Sequence, residues 1–368
     1  MKKLIKIGKK VFPLNRSLTG KDNLKTLRIF KTFYPKLKIK HFTSGKKVYD
    51  WKIPYEWNIK DAYIKDKFKK KIIDFKNNNL HVISYSDKVK KFLKKSDLLK
   101  KIYTNKKYKN AIPYVTSYYK KNWGFCITEN QRKFIQKNYK DNDIFKVVIK
   151  SNFKKSGKMY YGEIFIPGKV KDEILISTYI CHPSMANNEL SGPLVSLNLA
   201  KYFAKKKNKC GLRFVFVSET IGAISYINKN FKNLKQNVKG GYLLTCIGDE
   251  RNYSLLLSKY GNSISDLAAK DAYEKLKIKY KKYSFLRRGS DERQYNSPYI
   301  DLGISSIMRS KHGEYKEYHT SLDKFETVVT AKGLNGGYTV VKAAIKSLMN
   351  KKKLVNRYKK NKNNPRAR

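Results

Sequence analysis

Apolar residues recur at helical spacing between Asp22 and Tyr34, where Leu24, Leu27, Phe30 and Phe33 share a stripe that Pro35 ends. Residues 37–41 and 47–51 read as strands flanking Ser44-Gly45. From about Tyr55 to Trp123 lysines are dense and apolar runs short. Residues 71–75 and 80–85 predict strands there, and residues 89–99 a helix. From Asp143 the pattern changes. Residues 145–151 and 159–166 predict a hairpin-like pair. Apolar strand runs at 173–180, 212–217, 241–246 and 304–309 then alternate with helical patterns at 191–205, 222–230, 263–276 and 331–349. Strands alternating with helices predict an α/β domain with a mixed, mostly parallel sheet flanked by helices. That domain is expected from residues 1–55 and 125–350, interrupted by a small β-rich inserted domain at 56–124 and followed by a basic, flexible tail at 351–368. Sheets of this kind collect ligands at the carboxyl ends of their strands.

Composition modifies this picture little. The chain has 368 residues, 40% of them hydrophobic and 13% aromatic, enough for a sizeable core. Its net charge of +55 comes from 83 basic and 28 acidic residues. The lysines are spread along the whole chain, arginine is scarce, and no aromatic-basic motif stands out, so no specific nucleic-acid partner is expected. Weak attraction to anionic surfaces remains. Four cysteines without a CxxC pair predict reduced thiols. The opening MKKLIKIGKKVFPL is too interrupted by lysine for the apolar stretch of a signal peptide. No stretch approaches the ~20 apolar residues of a membrane span. The expected location is cytoplasmic. Nothing indicates an oligomeric state.

The chemistry-bearing residues gather after the predicted strands. Of five histidines, His182 follows the strand at 173–180 and His319 lies in EYHTSLDKFETV, just before the last helix. Imidazole with carboxylate suits zinc. Glu219, in FVFVSETIGA, reads either as an acid at a helix N-terminus or as a general base. Asp249, in LLTCIGDER, reads as a turn residue or a ligand. Asp291 lies between Arg288 and Arg293, so an ion pair competes with metal ligation. Ser191 lies outside a GxSxG elbow, and Cys181 adjoins His182 where neighbours on a strand face opposite ways. Both are read as structural.

These segments, in this order, resemble the zinc aminopeptidases of metallopeptidase clan MH. NNELSGP resembles the family's acidic-Asn-small-Ser-Gly loop, SETIGA its Glu-Glu-x-Gly element, GSDERQYNSPYIDLGISSIM its Ser-Asp segment and YHTSLDKFETV its closing His-Thr-x-x-Asp. RSLTG, DWKIPYEWNIKDAYI and CHPSMANNELSGP resemble bacterial aminopeptidase-like proteins that carry an inserted small domain and are often associated with surface-polysaccharide biosynthesis. The resemblance implies a zinc-exopeptidase (phosphorylase/hydrolase-like) fold, with His182 and His319 as metal ligands and Glu219 as general base. This sequence departs from the pattern where Asn188 stands for the bridging aspartate, Thr220 for the second glutamate and Thr245 for a further aspartate, with Asp249 one turn on. A close pair of ions needs several carboxylates. The expectation is therefore one zinc, held by His182, His319 and a carboxylate for which Asp249 and Asp291 compete, with Glu219 also able to ligate. A site without metal stays open. Asn188 and Arg293 are the expected substrate contacts. The implied activity is hydrolysis of an amide bond, in a peptide N-terminus or an amide-modified glycan precursor. The alternative is a catalytically degenerate protein that binds a glycan or a partner in surface-polysaccharide biosynthesis.

Overall fold

Four strands are buried along most of their length: Val170–Tyr179, Cys210–Val217, Val238–Leu244 and Ile304–Met308. Such runs need cover on both faces, as parallel sheets have. The computed structural model, which describes residues 1–351, supplies it. Of the tail expected at 351–368, all but Lys351 lies outside the described residues. Alternate side chains part to opposite sides of the sheet. Ile174, Ile176, Leu212, Phe214 and Phe216 join the core beneath helices Lys2–Val11, Lys21–Phe33, Ser191–Phe203, Ile264–Lys275 and Ala331–Asn350. Leu175, Val215, Val217 and Leu243 join the opposite core, under helix Ile221–Asn237.

Among the described residues the large sheet has eight strands. Its centre runs in the order Cys210–Val217, Val170–Tyr179, Val238–Leu244, Ile304–Met308, all parallel. Lys158–Ile166 and then Lys38–Thr43 extend one edge antiparallel. Ser254–Leu256 and Lys281–Tyr283 complete the other. From Val170–Tyr179 the chain steps to one neighbour, Cys210–Val217, and then crosses back to the other, Val238–Leu244. This reversal opens a crevice at the carboxyl end of Val170–Tyr179.

A second, four-stranded antiparallel sheet has the order Lys71–Asp74, Glu56–Lys65, Ile144–Lys154, Val89–Lys94. Its core holds Ala62, Ile64, Phe125, Ile135, Phe145, Val147 and Ile149. Strand pairing in this unit thus continues to Lys154, well past residue 124. The expected hairpin of 145–151 with 159–166 does not form, because each strand joins a different sheet and the chain crosses between them. The expected helix at 89–99 is strand Val89–Lys94 followed by the short helix Lys95–Leu99. Its spacing satisfied both periods, and pairing of Val89 with Ile149 and Leu93 with Phe145 decides for strand, leaving Phe92 67% exposed. The strand expected at 80–85 is a single helical turn, Asn79–His81, followed by isolated bridges. Residues 47–51 fold on themselves as the two-residue strands Lys47–Val48 and Trp51–Lys52.

Candidate active site

His182 stands three residues past the end of Val170–Tyr179, where the sheet stops and the chain turns through Ala186–Leu190 into helix Ser191–Phe203. The turn is buried, so its backbone groups need partners. Asp323 supplies them, its carboxylate accepting from the Asn187 and Asn188 N–H groups at 2.7 and 2.9 Å. Burial pushes the Asp323 carboxyl up to about 7, against the pull of those bonds. His182 itself is 4% exposed. Its Nδ1 lies 2.7 Å from Glu189 Oε2 and its Nε2 3.5 Å from Glu219 Oε2. A carboxylate on one ring nitrogen fixes the ring and presents the other nitrogen to the site. Burial opposes a charge on His182, but Glu189 and Glu219 outweigh it and hold its pKa above the usual value. Glu189 faces Arg16, with Nε and Oε1 3.9 Å apart and both side chains fully enclosed. Arg16 also donates to the His182 carbonyl at 2.8 Å.

Glu219 follows the neighbouring strand Cys210–Val217. Ser290 Oγ donates to its Oε1, which leaves Oε2 facing His182. Enclosure raises the Glu219 pKa, and His182 partly offsets this. Thr220 adopts φ 61°, a left-handed conformation unfavourable for a β-branched residue. Asp291 Oδ1 stabilises it, accepting from the Thr220 N–H at 2.7 Å. Asp291 is fully buried, its Oδ2 has no partner, and it forms no ion pair among the described residues. Burial, then the Glu219 charge, pushes its pKa well up. Cys181 is nearer the chemistry than strand alternation predicted, because the strand has ended by Tyr179. Its Sγ lies 3.5 Å from His182 Nδ1 and accepts from the Glu219 N–H at 3.2 Å. Burial pushes the thiol well up, so it stays protonated.

His319 arrives from the loop between Ile304–Met308 and the last helix, at φ 54°. Its ring centroid is 5.4 Å from that of His182. It stacks on Tyr318 at 4.0 Å, and its buried Nε2 has no hydrogen-bond partner among the described residues. Burial, then the neighbouring His182 and His312, drives its pKa well down, so it is a neutral imidazole with a free lone pair.

The structure does not bring every expected residue to this point. Asp249 Oδ2 accepts from Asn187 Nδ2 and the Ser310 N–H at 3.0 and 2.9 Å. Its Oδ1 accepts from the Arg251 N–H and Ser310 Oγ at 3.0 and 2.8 Å. It braces three loops and has no lone pair to spare, the turn role rather than the ligand role. Arg293 is exposed and reaches back to the Ser290 carbonyl at 3.4 Å. Asn188 is buried beside Tyr179, with its Oδ1 unpartnered. Neither Arg293 nor Asn188 lines the cavity described next.

His182, Glu219, Thr220 and His319 open onto a cavity of about 360 Å³ whose outer wall comes from Trp51 and, in the lysine-rich part of the chain, from Tyr114, Tyr118 and Tyr119. Tyr114 packs 5.0 Å from His182 and 5.3 Å from His319, and its hydroxyl meets that of Tyr118 at 2.9 Å. Its backbone N–H donates to the His319 carbonyl at 2.8 Å, so this segment also fixes the histidine loop. Glu189, Arg16 and Tyr114 were given no role from sequence. Arg16 lies in the quoted RSLTG and Glu189 in NNELSGP, but no local pattern marks Tyr114.

The donors suit one cation better than two. The unpartnered Nε2 of His319 lies beside His182, and Asp291, whose Oδ2 is unpartnered, holds the Thr220 N–H next to Glu219, while uncharged Asn188 and Thr220 occupy the positions where the zinc-aminopeptidase resemblance expects further carboxylates. Among the described residues only Cys181, His182 and Glu189 bring three such donor atoms within 4.8 Å of one another, so His182, His319 and Asp291 would have to draw closer around an ion. In the trio with Cys181, however, the His182 nitrogen already bonds Glu189 and the thiol is protonated.

A family model described as "Domain of unknown function (DUF4910)" matches residues 5–351. The chain belongs to this family. It is 40% identical over 346 residues to a Clostridium acetobutylicum protein named as a candidate polysaccharide biosynthesis protein with an aminopeptidase-like domain, covering 94% of this chain and 77% of that one. A crystal structure of a candidate peptidase from the same organism aligns with TM-score 0.90 at 40% identity, over 95% of this chain and 80% of that one. The zinc aminopeptidase BSAP of Bacillus subtilis aligns with TM-score 0.65 at 14% identity, over 94% and 93% of the two chains. This DUF4910 chain therefore has the aminopeptidase-like α/β fold.

Proposed function

We propose that the chain is an aminopeptidase-like hydrolase that cleaves an amide bond, in a peptide N-terminus or an amide-modified glycan precursor. The observation that carries this reading is the 3.5 Å approach of His182 Nε2 to Glu219 Oε2, beside the free Nε2 of His319, at the floor of one cavity. His182, His319 and Asp291 Oδ2 would hold a single zinc ion, which when bound polarises a carbonyl and acidifies water. Glu219 supplies the proton transfer. With Ser290 fixing its Oε1, Oε2 takes a proton from the attacking water and passes it to the amine nitrogen as the C–N bond breaks. Its raised pKa moves it toward the range in which a carboxylate can do both near neutral pH. The aromatic wall keeps bulk water off the reacting centre.

Metal analysis of the purified chain, paired with Glu219→Gln assayed on aminoacyl anilides and N-acylated sugars, tests the proposal. Zinc should be taken up by both forms, and hydrolysis should fall by about 10²–10⁴ in the variant. A wild type without zinc, or a variant as fast as wild type, overturns it. The neutral Asn188 and Thr220 support a second reading, a binding protein on a degenerate site. Ligand binding unaffected by both a chelator and His182→Ala would decide for that one.

A further inference from the structure

Beside the first cavity lies a second, of about 550 Å³, and Tyr119 lines both. The second is walled by the rings of Tyr55, Tyr85, Tyr119 and Phe153 and by four lysines, Lys52, Lys120, Lys121 and Lys155, against one acid, Asp87. None of the four ammonium groups forms an ion pair among the described residues, nor does Asp87. Lys52 Nζ stands 5.9 Å from the centre of the Tyr55 ring. The partition between the two cavities is built rather than loose. Tyr119 is at φ 62°, its hydroxyl donates to the Lys52 carbonyl at 2.9 Å, and its ring meets Trp51 at 5.7 Å. A non-glycine residue in that conformation is retained where surroundings hold it.

We propose that this second cavity is a subsite for an anionic saccharide, the part of the substrate remote from the bond at Glu219. Unpaired ammonium groups select negative charge, and flat aromatic faces accept the C–H face of a sugar ring. An extended acidic peptide is the competing occupant, but peptides of that form are usually bound by adding to an open strand edge. Beside this wall, Glu56–Lys65 pairs with Ile144–Lys154 on one side, and on the other its backbone groups are taken by Thr19, whose Oγ1 accepts from the Trp57 N–H at 2.9 Å and donates to the Tyr55 carbonyl at 3.1 Å. Only the link to catalysis rests on the hydrolase reading; the binding itself does not.

The test is titration calorimetry on the full chain with trigalacturonate, with neutral galactotriose and with triglutamate, repeated in Glu219→Gln and in the presence of chelator. Trigalacturonate should bind, galactotriose should bind at least about tenfold more weakly, and Lys120→Ala/Lys121→Ala should weaken trigalacturonate by about tenfold. The exposed pair Lys205→Ala/Lys207→Ala, in the turn after helix Ser191–Phe203, should leave binding unchanged. Glu219→Gln and chelator should also leave it unchanged, which separates failure here from failure of the hydrolase reading. Tyr119→Ala should weaken both sugars, a loss that charge alone would not give. Equal binding of neutral and acidic sugars, tighter binding of triglutamate, or an equal loss in the distant lysine pair overturns the proposal.

Discussion

At the scale of single residues, the least expected feature is a chain of four ionisable groups under the cavity floor. Arg16 supports Glu189, Glu189 holds His182, and His182 faces Glu219. Fully buried charges persist only when compensated. Glu189→Gln keeps the size and an acceptor for the imidazole but leaves the guanidinium without an anion. It should lower unfolding free energy by about 3 kcal/mol in urea titration. A loss under about 1 kcal/mol would show that Arg16 is compensated elsewhere. His182 and His319 stood out because histidine is rare here and both fall next to regular elements. Asp249 stood out because it follows a predicted strand, yet it braces a loop, since a carboxylate after a strand can be consumed by backbone donors as readily as by a cation.

At the scale of elements, the turn from sheet to helix around Asn187 is held by close approach. A Cβ on Gly192 would lie 2.2 Å from the Leu244 carbonyl oxygen and 2.4 Å from Thr178 Oγ1. Within a helix, Gly to Ala ordinarily stabilises by about 1 kcal/mol. Here the sign should reverse, because both obstacles belong to the sheet and cannot move aside. Gly192→Ala is expected to cost about 1–3 kcal/mol by thermal or chemical unfolding, and a stabilised variant would refute the tight approach. The parallel strands and long helices were legible because each holds one period over many residues. Val89–Lys94 was not, since six residues fit either period and only a partner strand resolves them.

At the scale of the whole molecule, the lysine-rich segment completes the site. It contributes the aromatic wall and pins the His319 loop. Its sheet includes Ile144–Lys154, and Glu56 pairs with Lys154, so the unit leaves and rejoins the main fold at neighbouring points. Replacing 56–154 by a short linker should therefore yield more soluble, folded chain than replacing 56–124. The shorter excision strands Ile144–Lys154 with both edges bare, a template for aggregation. Equal soluble yields, with equal far-UV circular dichroism, would contradict this boundary.

What the sequence determined by itself was local: the periods of the parallel strands and their helices, the α/β class they compel, and the placing of His182 and Glu219 after strands and of His319 before the last helix. These follow from side-chain spacing and from which residue types can carry the chemistry. Tertiary structure alone decided which strands pair across long separations, which carboxylate keeps a free lone pair, and that Tyr114 and Glu189 meet the two imidazoles. Those outcomes depend on contacts between segments far apart in the chain, and no local pattern records the partner that completes them.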